Sequence, residues 1–376
     1  MFPQDIYLIQ RNLSRGSNYR CLPVKWDTKQ KKIVVKGTKS QKVIILTLVV
    51  SFLVSSCRLF STFVQSNLIH KAEAAAGSMF YWASFMLRLD LPIDHVAVHL
   101  VNSIIRHPNK EFGLKKPSHV QLCIRFLYWA AETNGLLISL GTSTLSLLSP
   151  CQPILLTSLL CSGNGEILNT KCQNTLTYTT QLFLATLEFV AMQHLMTGLV
   201  YYTGTVMMQG ITFLWQSGEA FERKARSNAS FVELIKSYEK LKVYEKLLNS
   251  CIRSRIFLVT ALVVPSLQIL LSCTGIHSLH SDDTNKIQAI LFLWTYIVIL
   301  VFSILLFSAA GRINESSQKW IAECKRRCRN RVEKRRQMSL VLLRLEFGNN
   351  FVEPLTPLVV QEFCVRQTVS FLLLRS

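Results

Sequence analysis

Apolar residues in this chain come in long runs. Val43–Val64, Thr133–Leu160, Thr180–Thr205, Ile256–Ile276 and Gln288–Ala310 are each predominantly apolar over more than twenty positions, the length a helix needs to cross about 30 Å of hydrocarbon. Two further segments are less clear. Ala74–Leu87 is apolar for 14 residues before Arg88 and Asp90, which also suits a buried or interfacial helix, and Pro357–Leu374 is long enough but carries Gln361, Glu362 and Arg366. The hydropathy pattern therefore predicts an all-α protein, a bundle of up to seven transmembrane helices.

Charge placement decides the weak spans. The chain is strongly basic, with 42 Lys and Arg against 22 Asp and Glu, but the cations lie in blocks: ten in residues 1–42, five in 106–125, nine in 219–255 and ten in 312–338. Lys71, Lys171 and Lys286 are the single cations of the other three connections. Short loops rich in Lys and Arg stay on the cytoplasmic side. Seven spans with a cytoplasmic N-terminus and an external C-terminus put all four blocks inside and the three bare loops outside. Without the Ala74–Leu87 crossing, two blocks change sides. The order is then a basic cytoplasmic segment 1–42, a six-helix bundle 43–310 with a cytoplasmic helical linker 219–255, a basic coupling segment 311–354, and the seventh helix 355–376.

Composition agrees, since 49% hydrophobic residues and a mean hydropathy of +0.28 accompany the net charge of +20. The densest basic stretch, Lys325–Gln337, holds eight cations and one acid. In a cytoplasmic loop it answers to topology as a solvated helical face, with contact to anionic lipid head groups as the alternative, so membrane lipid is an expected partner and nucleic acid is not. Residues 1–42 contain no early apolar core, and Val43–Val64 is expected to act as a signal anchor in a multi-pass plasma-membrane protein. Of the eleven cysteines, Cys161 and Cys172 share the second external loop and are expected to form a disulfide. His95 and His99 lie on the opposite side of the bilayer from His277 and His280, which argues against a metal centre. No phosphate-binding loop, nucleophile elbow or dinucleotide fingerprint is present, so no cofactor and no enzymatic activity is expected.

G-protein-coupled receptors have seven helices in the opposite orientation, whereas insect odorant and gustatory receptors have the inverted one. Those receptors carry Thr-Tyr, five apolar residues and Gln-Phe in the last helix, with a glycine some twenty residues upstream. Here the segment reads F-G-N-N-F-V-E-P-L-T-P-L-V-V-Q-E-F-C-V-R-Q-T-V-S-F-L-L-L-R-S, with Gly348 at the glycine, Thr368 at the threonine, Val369 in place of tyrosine, and Arg375 and Ser376 in place of Gln-Phe. The stretch C-L-P-V-K-W-D at Cys21–Asp27, and Leu340–Leu374 with its G-N-N-F-V-x-x-L-T-P-L core, look like the divergent gustatory-like receptors of springtails. The chain thus resembles the insect-type seven-transmembrane chemoreceptors. That resemblance implies a ligand-gated nonselective cation channel of four subunits, identical or related, opened by a small-molecule tastant or odorant. A membrane transporter or a non-conducting scaffold is the alternative.

Helical spacing puts Gln361, Val365, Thr368, Leu372 and Arg375 on one stripe of the seventh helix, the expected pore lining. Glu362 and Arg366 lie beside it at i, i+4, where they pair or merely staple the helix to its bundle. Leu234, Leu241 and Leu248 recur every seven residues in the linker and are expected to pack against other helices, of this subunit or of another. Aromatic and polar residues in the spans, Tyr81, Trp82, Phe189, His194, Trp294 and Tyr296, are candidates for a ligand pocket, and the same inventory also suits helix packing. Epitope tags at residue 1 and after Ser376 test the orientation: in unpermeabilised cells only the C-terminal tag is expected to stain, and N-terminal staining overturns the topology.

Overall fold

The computed structural model describes residues 3–65, 67–90, 93–106, 119–150, 152, 154–158, 177–226, 230–280, 286–327 and 330–373. Cys161, Cys172 and Arg375 lie outside the described residues.

The basic N-terminal segment folds. Helix α1 (Pro3–Asn18) is amphipathic and buries Ile9 and Leu13, and the β1 (Val24–Asp27) and β2 (Lys32–Val35) hairpin buries Val24 and Ile33 in the same core. The hairpin turn is closed by Asp27, whose carboxylate accepts the amides of Lys29 and Gln30, while Lys31 takes a left-handed φ of 49°.

Seven long helices follow: α2 (Thr38–Val64), α3 (Leu68–Arg88), α5 (His119–Leu148), α6 (Tyr178–Arg226), α7 (Phe231–His280), α8 (Lys286–Arg327) and α10 (Thr356–Leu373). The short helices α4 (His95–Arg106) and α9 (Arg331–Met338) and a second small hairpin, β3 (Glu346–Phe347) with β4 (Asn350–Phe351), complete the described elements. Four of the helices, α2, α6, α7 and α8, are long and apolar enough to cross a membrane. In the bundle α2 packs on α3, α5 on α6, and α7 on α3, α8 and α10.

The third apolar run is placed differently from its hydropathy reading. Thr133–Leu160 was the expected span, but the helix is His119–Leu148. Pro150 follows its C-terminus, where proline cannot continue the backbone ladder. The helix starts earlier because its charges are paired: Arg125 Nε donates to Asp5 of α1 at 2.6 Å, and Glu132 accepts from Arg11. Those partners come from the N-terminal segment, so local hydropathy could not anticipate them.

Helices α6 and α7 each widen into a π-type stretch, at Val200–Met208 and Ile252–Ile256, and the two stretches pack on each other. Beyond them α6, α7 and α8 continue as a smaller bundle around Phe221, Tyr238 and Trp320, with Tyr238 stacked on Trp320 at 4.4 Å between ring centroids. The Leu234, Leu241 and Leu248 stripe is buried inside this chain. Residues 341–346 run along α7 and are held by its side chains: Tyr238 Oη donates to the Val341 carbonyl (2.9 Å), Lys242 Nζ to Leu342 (2.8 Å) and Asn249 Nδ2 to Arg344 (2.8 Å). Asn249 Oδ1 accepts the Glu346 amide at 3.2 Å, so one side chain serves two backbone groups.

The lead into α10 passes close over α8 at Gly311, where an added Cβ would lie 2.9 Å from the Glu353 carbonyl oxygen and 3.0 Å from Pro354 Cα. Both are backbone atoms, so neither yields by a rotamer change. Gly311→Ala is expected to destabilise the protein by about 1–3 kcal/mol, as overpacking does. A thermal-unfolding scan of detergent-solubilised protein reads this, and an unchanged midpoint shows the lead segment to be free to move.

Candidate ligand cavity and outward-facing last helix

Arg58 is the one charged side chain in the apolar run of α2, and Glu188 the one in the apolar part of α6. The structure brings them together. Arg58 is 4% exposed and Glu188 0%, and the guanidinium donates to the carboxylate. The Tyr81 ring of α3 lies under the guanidinium, 4.1 Å from its carbon to the ring centroid, and the Tyr81 hydroxyl is 3.4 Å from both charged groups. The network extends to the chain after α5: Arg58 donates to the Ile154 carbonyl, and Glu188 Oε1 accepts the Leu156 amide at 2.6 Å. Ser61 and Ser158 add a hydroxyl pair at 3.1 Å. Charges at this depth persist only when paired and hydrogen-bonded, and this pair is both.

Against this network lies a cavity of about 80 Å³, walled by α3, α5, α6, α7 and α8 and by Ile154. One water requires roughly 10–15 Å³ of such space, so several fit. Its walls are mostly apolar, Phe80, Ile138, Met192, Leu271 and Phe292 among them, with Arg58, Tyr81, Thr142 and Gln288 as polar groups. That mixture of apolar wall and few polar groups is typical of a small-molecule site. A second cavity of about 180 Å³ lies between α2, α3 and α6, lined by Ser51, Phe85, Arg88 and His194, and Tyr81 is its shared wall with the first.

The six candidate pocket residues separate accordingly. Tyr81 lines both cavities and His194 the second. Trp82 packs edge-on against Phe52 and Phe85, Trp294 donates its indole N–H to Asn134, and Tyr296 packs beside Leu267, Leu271 and Phe292. Phe189 is half-buried and lines neither cavity. Arg58 and Glu188 are not among the candidates that the sequence pattern picks out. Their signal was present as one cation and one anion in two otherwise apolar runs, each needing a partner.

Helix α10 has two faces. Gln361 Nε2 donates to Ser303 of α8 at 2.9 Å, and Thr368, 9% exposed, shares a hydroxyl contact of 2.9 Å with Ser272 of α7. On the other side Val365 is 58% exposed, and the paired Glu362 and Arg366, 2.9 Å apart, have side chains 69% and 73% exposed. Leu372 is intermediate. Of the expected stripe, Gln361 and Thr368 thus bond to the chain's own bundle and Val365 points away from it.

These features define a polytopic helical membrane protein with an internal cavity and an outward-facing last helix. Solved structures with this fold exist. The insect olfactory receptor OR5 from Machilis hrabei superposes with a TM-score of 0.67 at 14% identity, covering 97% of each chain. The same receptor in complex with eugenol matches at 0.67 and 13% identity, over 99% of this chain and 100% of that one. No family model matches the sequence, and no curated protein does. The fold of this chain is that of the insect olfactory receptors.

Removing one member of the buried pair strands the other. Glu188→Leu or Arg58→Met alone is expected to destabilise the protein by about 3–5 kcal/mol, whereas the double variant recovers most of the loss. Thermal unfolding of all four proteins closes the cycle, and additive losses in the double variant show that the pair is not coupled.

Proposed function

We propose that this chain is a chemosensory receptor of the gustatory type, a ligand-gated nonselective cation channel built from four identical or related subunits. In this reading the N-terminus is cytoplasmic, the C-terminus external, and the α10 helices surround the pore. The cavity against Tyr81 and Arg58 takes the ligand. The neighbour solved with eugenol supports a small odorant-like molecule as the ligand class.

One observation carries the channel reading. Helix α10 has 18 residues, about 27 Å of helix, and Glu362 lies six residues into it, about 9 Å along the axis. An exposed ion pair at that depth cannot face hydrocarbon at acceptable cost, but it can face water or another subunit. Gln361, Cys364 and Thr368 occupy the opposite face, so the charged face is turned away from the chain's own bundle. In the assembled channel Val365 and Leu372 contribute apolar constrictions.

The cavity is connected to that helix by adjacent positions. Leu271 of α7 lines the cavity, and Ser272 holds Thr368. Gln268, one turn away, donates to Ser303, which also accepts from Gln361. A ligand that displaces α7 by a fraction of a turn therefore acts on two of the contacts that hold α10.

Current through cells expressing only this chain, screened with tastants and odorants, tests the proposal. Ligand-evoked cation current is expected. Leu271→Trp, which fills the cavity, is expected to weaken the response to an active ligand at least tenfold, and Glu362→Gln with Arg366→Gln to shift the reversal potential in a sodium chloride gradient. Surface-expressed protein that passes no current with any ligand points to the transporter or scaffold. A conducting protein whose Leu271→Trp variant responds normally moves the ligand out of this cavity.

A further inference from the structure

A third cavity, about 500 Å³ and half open, lies where the N-terminal domain meets the start of α2. Its charged lining residues are all cations: Arg20 from the end of α1, Lys25 from β1, Lys36 after β2, and Lys39 in the first turn of α2. None of the four side chains has an ion pair or hydrogen bond among the described residues. Lys36 is only 8% exposed, yet it contributes to the cavity wall. A lysine that deep without a partner is uncommon, because burial of the ammonium must be offset by a counter-charge. Burial, together with the neighbouring Lys25 and Arg20, holds its pKa below the ordinary lysine value.

The backbone adds to the same field. Gly37 is the N-cap of the 27-residue helix α2 in extended conformation, and no side chain caps the first turn. Gly37 lines the cavity, and an added Cβ there would meet nothing within 4 Å. A free helix N-terminus with its dipole favours an anion. Arg20 is brought to this point by a left-handed turn, φ 53°, at the end of α1, where the Cys21 amide returns to the Gly16 carbonyl at 3.1 Å. Three elements thus converge four cations and a row of amides on one space.

Immediately beyond the cations the character changes. Val43 and Ile44 also line this cavity, and Ile45, Leu46, Val49 and Val50 continue as exposed apolar residues along α2. A phosphate seated among Arg20, Lys36 and Lys39 therefore lies at the polar end of a lipid-facing helix, with its hydrocarbon directed along α2. We propose that this cavity binds the phosphomonoester head group of an anionic membrane lipid, held by Arg20, Lys25, Lys36, Lys39 and the N-terminal amides of α2. The apolar continuation favours a lipid over a soluble phosphate ester, which gains nothing from Val43 and Ile44. This site depends on α2 crossing the membrane and not on whether the chain conducts, so it stands or falls apart from the channel proposal.

Delipidated full-length protein in neutral detergent, titrated with dioleoyl phosphatidic acid and followed by native mass spectrometry, tests it. One tight adduct per chain is expected, with dioleoyl phosphatidylcholine binding at least tenfold more weakly and millimolar glycerol 3-phosphate failing to displace the lipid. Lys36→Gln with Lys39→Gln is expected to weaken phosphatidic acid at least tenfold, while Lys236→Gln with Lys240→Gln, which removes the same charge from exposed positions of α7, leaves it unchanged. Should the Lys36 variant not fold, Arg20→Gln with Lys39→Gln, both exposed, carries the same expectation. Equal weakening by both double variants shows diffuse attraction to a basic protein and overturns the site. Displacement by glycerol 3-phosphate overturns the lipid assignment in favour of a soluble phosphate ester.

Discussion

The bundle depends on one requirement: an ionisable side chain within the apolar part must find its partner inside the protein. Arg58 and Glu188 meet it for each other, and in doing so they fix α2, α3 and α6 in a single register. A one-residue rotation of α2 or α6 turns its charge away from the partner by about 100°. The pair also recruits backbone. By bonding the Ile154 carbonyl and the Leu156 amide, it draws the chain that follows α5 into the bundle, where that chain forms one wall of the cavity. Cavity and ion pair are therefore one construction, and Tyr81, which touches both, occupies its centre.

The same rule operates elsewhere in the molecule. Asp90, just past α3, is held by Arg255 at 3.0 Å and by the Tyr202 hydroxyl at 3.1 Å, so both wide-turned helices are tied to the end of α3. Asp5 and Arg11 of α1 take Arg125 and Glu132 of α5, which fastens the N-terminal domain to the bundle. Each pair joins elements distant in sequence, and each removes a charge from an otherwise unfavourable place. Partnered charge acts here as a set of crosslinks, while the apolar surfaces supply most of the adhesion without choosing a register.

This explains which parts of the fold were legible. Apolar run length gave α2, α6, α7 and α8 directly, because it reads one helix at a time. Ala74–Leu87 lies within the longer helix Leu68–Arg88, and it is the parity of the basic blocks, a property of the whole chain, that points to this segment where its own hydropathy is indecisive. The helix of the third span begins fourteen residues before its apolar run, at His119 and not Thr133, because Arg125 and Glu132 look forbidding until Asp5 and Arg11 are beside them. The folded α1 and hairpin escaped notice for a similar reason: their apolar residues are few and acquire meaning only against α4 and α6. Aromatic residues were poor guides to the cavity, since Trp82 and Tyr296 find ordinary packing partners. The paired ionic residues were better guides, but their pairing is a long-range fact.

Helix α10 sets the same rule a problem that a single chain does not solve. Its polar residues that face inward are satisfied by α7 and α8, whereas Glu362 and Arg366 satisfy only each other and stay exposed. Their i, i+4 pairing contributes only a few tenths of a kcal/mol in water, far less than removal of both charges into hydrocarbon costs. Apolar neighbours Phe363, Val365 and Val369 are equally exposed on that side, so the surface is neither a good lipid face nor a good water face. A surface of this mixed kind is stable where one edge meets another subunit and the other meets a wet pore. This mixed surface is what the proposed channel requires of α10, and the polar contacts at Ser272 and Ser303 hold that helix to its own bundle from behind.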